Sequence, residues 1–188
     1  MRLGFRLVER FDSSGGQAWV DYIEWSALPH LREVVGLDLV LCPSAIALDE
    51  LTDEDDGHLI LREYVSVVFD DLDYVLRRIS DRENRDRLQL LALAREPTDA
   101  EIDACALPGF VFKGCDLIEE WSGISALTNS GGFAGAFSAA DVSSCGLIAT
   151  LKRAYQIQTA LSVLYPDDNH ADCAVWAIWR MEHPLTGR

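Results

Sequence analysis

Apolar residues recur at period two over the first eleven positions: Leu3, Phe5, Leu7 and Phe11 share one face, and Arg2, Arg6 and Arg10 share the other. That alternation predicts a strand. Ser13-Ser14-Gly15-Gly16 supplies turn chemistry. Residues 18–25 then fit two elements. The Ser-Gly turn favours the return strand of a hairpin, whereas Trp19, Tyr22 and Ile23 stand at helical spacing. Ser26 as N-cap, Pro29 near the first turn, and Leu28, Leu31, Val34 and Val35 at helical spacing predict a helix that Gly36 stops. Residues 37–41 read as a short strand ended by Pro43.

Further along, 64–69 is a β-branched apolar run, the pattern of a buried strand. Leu72, Val75, Leu76 and Ile79 make an i, i+3, i+4, i+7 stripe, so 71–79 is helical. The charged stretch 81–87 is loop. Residues 88–94 are apolar but for Gln89, as a strand covered on both faces would be. Thr98 with Glu101 forms a capping box that opens a short helix ending near Cys105. A strand at 110–113, a glycine-rich loop at 128–135, a helix at 151–164 ended by Pro166, and an apolar strand at 174–181 complete the pattern. The chain is therefore expected to be one α+β domain over 1–188, a mixed, mostly antiparallel sheet of five or six strands packed by four or five helices.

Composition sharpens this. Thirty-one carboxylates face sixteen basic residues, a formal net charge of −15, and both halves of the chain share the excess. Such a body repels phosphate backbones and anionic lipid, so neither nucleic acid nor membrane is an expected partner, while a basic protein would be attracted. No run approaches the roughly 18–20 apolar residues that span a bilayer. The first ten residues lack the continuous apolar stretch of a signal peptide. The five cysteines, Cys42, Cys105, Cys115, Cys145 and Cys173, are scattered and form no C-x-x-C pair. A cytoplasmic protein without a cofactor is the expectation.

Three segments could carry chemistry. The densest charge run holds Asp49, Glu50, Asp53, Glu54, Asp55 and Asp56. Read as a calcium loop, it places Thr52 where the leading carboxylate belongs, which argues against the ion and for a solvated acidic loop that a basic partner could meet. The second segment gathers Asp168, His170, Asp172 and Cys173 between a helix and a strand. It admits a metal site, a Cys–His nucleophile pair, or a turn built on Pro-Asp-Asp-Asn. The third, Thr128 to Gly135, has a G-G-x-x-G spacing that could cradle phosphate but lacks the Lys-Ser/Thr of a P-loop. There is no G-x-S-x-G, H-E-x-x-H, S-x-x-K or G-x-G-x-x-G.

This profile, small, acidic, tryptophan-bearing and without a catalytic signature, resembles that of many bacterial immunity and antitoxin-like proteins. The resemblance implies a non-enzymatic interaction module whose acidic face holds a basic partner. The alternative is a small hydrolase or metal-dependent enzyme using the 167–173 cluster. A homodimer joined through the tryptophan-rich C-terminal strand is compatible with either.

Overall fold

The computed structural model describes residues 2–63, 66–80, 82 and 84–182. Its frame is a six-stranded sheet in which every neighbouring pair is antiparallel. In chain order the strands of this sheet and of a small second one are β1 (Gly4–Glu9), β2 (Phe11–Asp12), β3 (Glu33–Val34), β4 (Leu59–Glu63), β5 (Ser66–Phe69), β6 (Leu88–Arg95), β7 (Phe110–Glu119) and β8 (Cys173–Met181). The large sheet runs β4-β5-β1-β6-β8-β7, and β2 pairs with β3. The helices are α1 (Gln17–Ser26), α2 (Asp53–Asp56), α3 (Leu72–Ser80), α4 (Asp99–Asp103) and α5 (Leu151–Leu164). The α+β expectation holds, with the sheet antiparallel throughout. Tyr64 and Val65, from the expected 64–69 strand, and Asp81 and Glu83, from the expected loop, lie outside the described residues.

The apolar run of β6, interrupted only by the buried Gln89, follows from its central place. Leu90, Ala92 and Ala94 point into a cluster with Phe5, Leu7, Phe69 and Trp179, roofed by Tyr74, Val75 and Ile79 of α3. Leu91 and Leu93 point the opposite way, into a cluster with Val8, Trp19, Tyr22 and Ile178. Period-two alternation still operates, but both faces are dry. Each fully buried leucine contributes about 1.5–3 kcal/mol of transfer free energy. β8 has the same character and is bonded to β6 on one side and β7 on the other. Its tryptophans thus face the surfaces of the sheet, and neither of its edges is open to a second copy.

Long-range packing overrides local pattern in the segment 17–41. Residues 18–25 form α1, not the return strand of a hairpin. Gly16, at φ +61°, lets the chain pass from a short turn straight into the helix. Spacing of i, i+3 then sets Trp19 and Tyr22 edge-on to Phe11, with ring centroids 5.4 and 5.1 Å away. Ser26 ends this helix instead of capping the next, and Ala27 turns left-handed at φ 54°. The expected helix over 28–35 is absent. Leu28, Leu31, Val34 and Val35 are all buried, but only the Leu31 N–H makes a local main-chain bond, to the Leu28 carbonyl; beyond it the chain turns to distant segments, with Arg32 N–H on the Ser144 carbonyl and Val35 N–H on that of Cys145. The expected strand over 37–41 is also absent and is replaced by a turn organised by Asp38.

The strand expected at 110–113 continues to Glu119 through an irregularity between Phe112 and Gly114. Gly114 has φ +137°, and a Cβ there would lie 2.6 Å from the Ile148 carbonyl oxygen, which receives the Cys115 N–H. Only glycine permits this close approach of two backbones. Among the described residues no helix is long and apolar enough to cross a membrane. Gly114→Ala is expected to cost about 2 kcal/mol or more in denaturant-induced unfolding, because both the backbone angle and the contact resist a side chain.

Candidate functional site

Three of the five buried charged side chains among the described residues lie together. Arg6 is 1 % exposed, Asp38 is 0 % and Asp116 is 1 %. They share one task, which is to satisfy the backbone of the irregular loop around residues 37–42. Asp38 Oδ1 accepts from the N–H groups of Val40 (2.9 Å) and Leu41 (2.8 Å), and its Oδ2 from that of Ser125 (2.8 Å). Asp116 Oδ2 accepts the Leu37 N–H at 3.3 Å, and its Oδ1 takes the Ser125 hydroxyl at 2.6 Å. Arg6 gives its Nη1 to the Leu37 carbonyl at 3.0 Å and its Nη2 to that of Cys42 at 3.4 Å. A buried loop is tolerable only when its polar groups are bonded in this way.

The electrostatics follow from burial. Asp116 rises from its ordinary 3.8 to about 7, chiefly because burial disfavours the charged form, with the hydrogen bonds from Ser125 and Leu37 pulling down and Asp38 pushing up. Burial also lowers Arg6 to about 10, against the opposing influence of Cys42 and Asp38. The Cys42 thiol is pushed far up by burial and again by Asp38, so it stays protonated. No carboxylate of the described residues stands within ion-pair distance of Arg6, and its Nε–H is buried without an acceptor.

Above this group lies a cavity of about 580 Å³ on one face of the sheet. Strand register explains its floor. Gly4 stands opposite Leu93, Arg95 opposite Trp176, and Ile118 opposite Ala174, so five of these side chains and the bare Cα of Gly4 emerge on the same face. Arg6 and Val68 join them in the lining, and Leu37 and Leu39 form a facing wall. That wall is held by Gly123, at φ +66°, whose carbonyl takes the Leu39 N–H at 3.1 Å; a Cβ on it would reach within 2.8 Å of Leu39 Cγ. Trp121, 77 % exposed, stands in the lining next to the ion pair of Arg95 with Glu120. A mainly apolar hollow of this size with a few fixed polar groups has the dimensions and chemistry of a small-molecule site.

The segments singled out in the sequence are placed elsewhere. Asp49, Glu50, Asp53, Glu54 and Asp56 are exposed, and Glu50 pairs with Arg82. Asp55 is turned fully inward. Burial alone would raise its carboxyl, but bonds from the Thr52 N–H (2.7 Å), the Tyr74 hydroxyl (2.7 Å) and the Thr52 hydroxyl, with Arg78 nearby, outweigh that and hold it below the usual range. It caps α2 and ties it to α3, so its carboxylate is withdrawn from any partner. In the 167–173 segment, Asp168 caps a short turn by accepting the His170 N–H at 2.9 Å and lies 3.0 Å from His170 Nδ1. His170 packs on Phe133, with ring centroids 5.3 Å apart. Asp172 is exposed, and Cys173 is buried at the start of β8 with its thiol pushed up to about 12 by burial. A neutral, buried thiol is a poor nucleophile. Among the described residues no three His, Cys, Asp or Glu side chains gather as a metal set. Asn129, the second residue of the glycine-rich loop, donates its side-chain amide to Asp38 Oδ1 at 3.3 Å.

The sign of the Asp116 shift gives a test. Its folded value lies above its unfolded one, so the native state holds the extra proton between pH 3.8 and about 7, and stability falls as pH rises through that window. Asp116→Asn is expected to remove this contribution. The difference in unfolding free energy between wild type and variant, followed by denaturation at several pH values, should change across that window and be flat above it.

No family model matches the chain, and no curated protein or solved structure matches it.

Proposed function

We propose that this protein binds a small organic molecule in the cavity on the face of its six-stranded sheet. One observation carries the reading: an approximately 580 Å³ hollow remains where residues of all six strands of the large sheet, from Ile60 of β4 to Ile118 of β7, meet the wall formed by Leu37 and Leu39. Apolar surface of this kind gains free energy when a ligand replaces water, at about 25 cal/mol per Å², and the buried polar cluster beneath it keeps the wall in place without a ligand. Preformed sites lose little conformational entropy on binding. A neutral solvatochromic dye titrated into the protein should bind saturably with a blue-shifted emission. Leu39→Trp, which places a larger ring in the half-buried wall, is expected to weaken that binding about tenfold while leaving the melting temperature within a few degrees. Unchanged dye affinity in this variant would mean that the dye sits elsewhere and that the cavity is not the site.

A second reading rests on a different observation. Asp49, Asp53, Glu54 and Asp56 are exposed on one short segment of a chain with a net charge of −15. A basic partner protein meeting this segment would associate quickly and in a salt-sensitive way. Tagged protein incubated with its native lysate should then retain a stoichiometric basic protein that moderate salt releases, and retention should drop for the Asp53→Asn, Glu54→Gln double variant. A partner held equally at low and high salt would contradict the electrostatic reading.

A further inference from the structure

The cavity lining contains seven charged side chains, and their partners differ in a way that selects a ligand. Arg2 pairs with Asp70, and Arg95 with Glu120. Glu119 accepts the Ser122 hydroxyl, Glu96 the Gln158 amide, and Glu101 the N–H and hydroxyl of Thr98. Arg6 is the exception. It lies on the sheet floor, almost wholly buried, with only two main-chain carbonyls as acceptors and its Nε–H unused. The nearby Asp38 does not supply the missing acceptor, because both its oxygens are occupied by N–H groups of Val40, Leu41, Ser125 and Asn129.

An unused donor on a buried guanidinium is costly, because the group has surrendered its water and received nothing in return. The Nε–H and one Nη2 hydrogen share an edge of the planar guanidinium, the edge that a carboxylate fills with two parallel, charge-assisted bonds. The same cavity lining holds the apolar side chains of Leu39, Ile60, Val68, Leu93 and Trp176.

Resting on the reading of the cavity as a ligand site, we propose that its ligand is a small amphiphile with a single carboxylate. Arg6 takes the head group, and the apolar body lies along Leu39, Ile60, Val68, Leu93 and Trp176.

The test uses three probes with one alkyl chain and different heads, namely decanoate, decanol and decylamine, each displacing the neutral dye from the wild-type protein below its micellar concentration. Decanoate is expected to bind about tenfold more tightly than decanol, the scale of one charge-assisted bond pair, and decylamine most weakly. Arg6→Lys keeps the charge but loses the planar edge, so the preference for decanoate over decanol is expected to fall about tenfold in this variant. Should this variant fail to fold, the wild-type series decides alone. Equal binding of decanol and decanoate, or preference for the amine, would overturn the carboxylate assignment while leaving the cavity as a ligand site. Absence of any alkyl binding together with absence of saturable dye binding would remove both.

Discussion

The fold depends on a loop that is not a strand. Residues 37–42 cross one face of the sheet without joining a ladder, so their N–H and carbonyl groups require other partners. Asp38, Asp116 and Arg6 provide them, the two carboxylates receiving N–H groups and the guanidinium giving to carbonyls. Three ionisable side chains are expensive to bury, and each is tolerable only while its bonds are made. The depressed Arg6 and elevated Asp116 values are the electrostatic record of that cost. Ser125 extends the cluster by bonding both acids, with its N–H on Asp38 and its hydroxyl on Asp116. One polar group thus fastens the 37–42 loop, the 125–129 segment and β7 to the floor of the sheet.

The same arrangement makes the cavity. Because the loop is suspended by side chains instead of strand pairing, it stands off the sheet, and Leu37 and Leu39 form a wall opposite Leu93 and Trp176. On the other face α3 lies directly on Phe5, Leu7 and Phe69, with Tyr74, Val75 and Ile79 closing the core. One side of the sheet is therefore closed by α3, whereas on the other, beside the core packed by α1 and α5, the loop leaves room. The proposed binding function grows from this asymmetry, and the unused Nε–H of Arg6 is where it becomes chemically selective.

The sequence was most legible where local pattern and tertiary environment agree. β6, α3, α4 and α5 follow directly from an apolar run, an i, i+3, i+4, i+7 stripe, the Thr98–Glu101 capping box and a periodic face beginning after Thr150. It was least legible over 17–41, where Leu28, Leu31, Val34 and Val35 stand at helical spacing but the N–H groups of Arg32, Glu33 and Val35 go to carbonyls more than a hundred positions away. The site was missed for a related reason. Arg6 falls in the regular polar phase of an alternating strand, so nothing local marks it as buried. Asp38 within Leu37-Asp38-Leu39-Val40-Leu41 and Asp116 within Cys115-Asp116-Leu117-Ile118 did carry a signal, an acid embedded in an apolar run, which the denser charges of 49–56 and 167–173 overshadowed. Density of charge pointed to the surface, whereas isolation of charge pointed to the interior.

The proposed recognition turns on a single hydrogen, the one on Arg6 Nε, and NMR can observe it directly. In the free protein its side-chain 15N–1H resonance should be sharp and slow to exchange with water, as for a buried donor. Saturating decanoate should move it strongly downfield while saturating decanol leaves it in place. A resonance that stays unmoved while decanoate binds saturably would show that Arg6 does not hold the ligand, and would reduce the buried arginine to a strut for the loop above it.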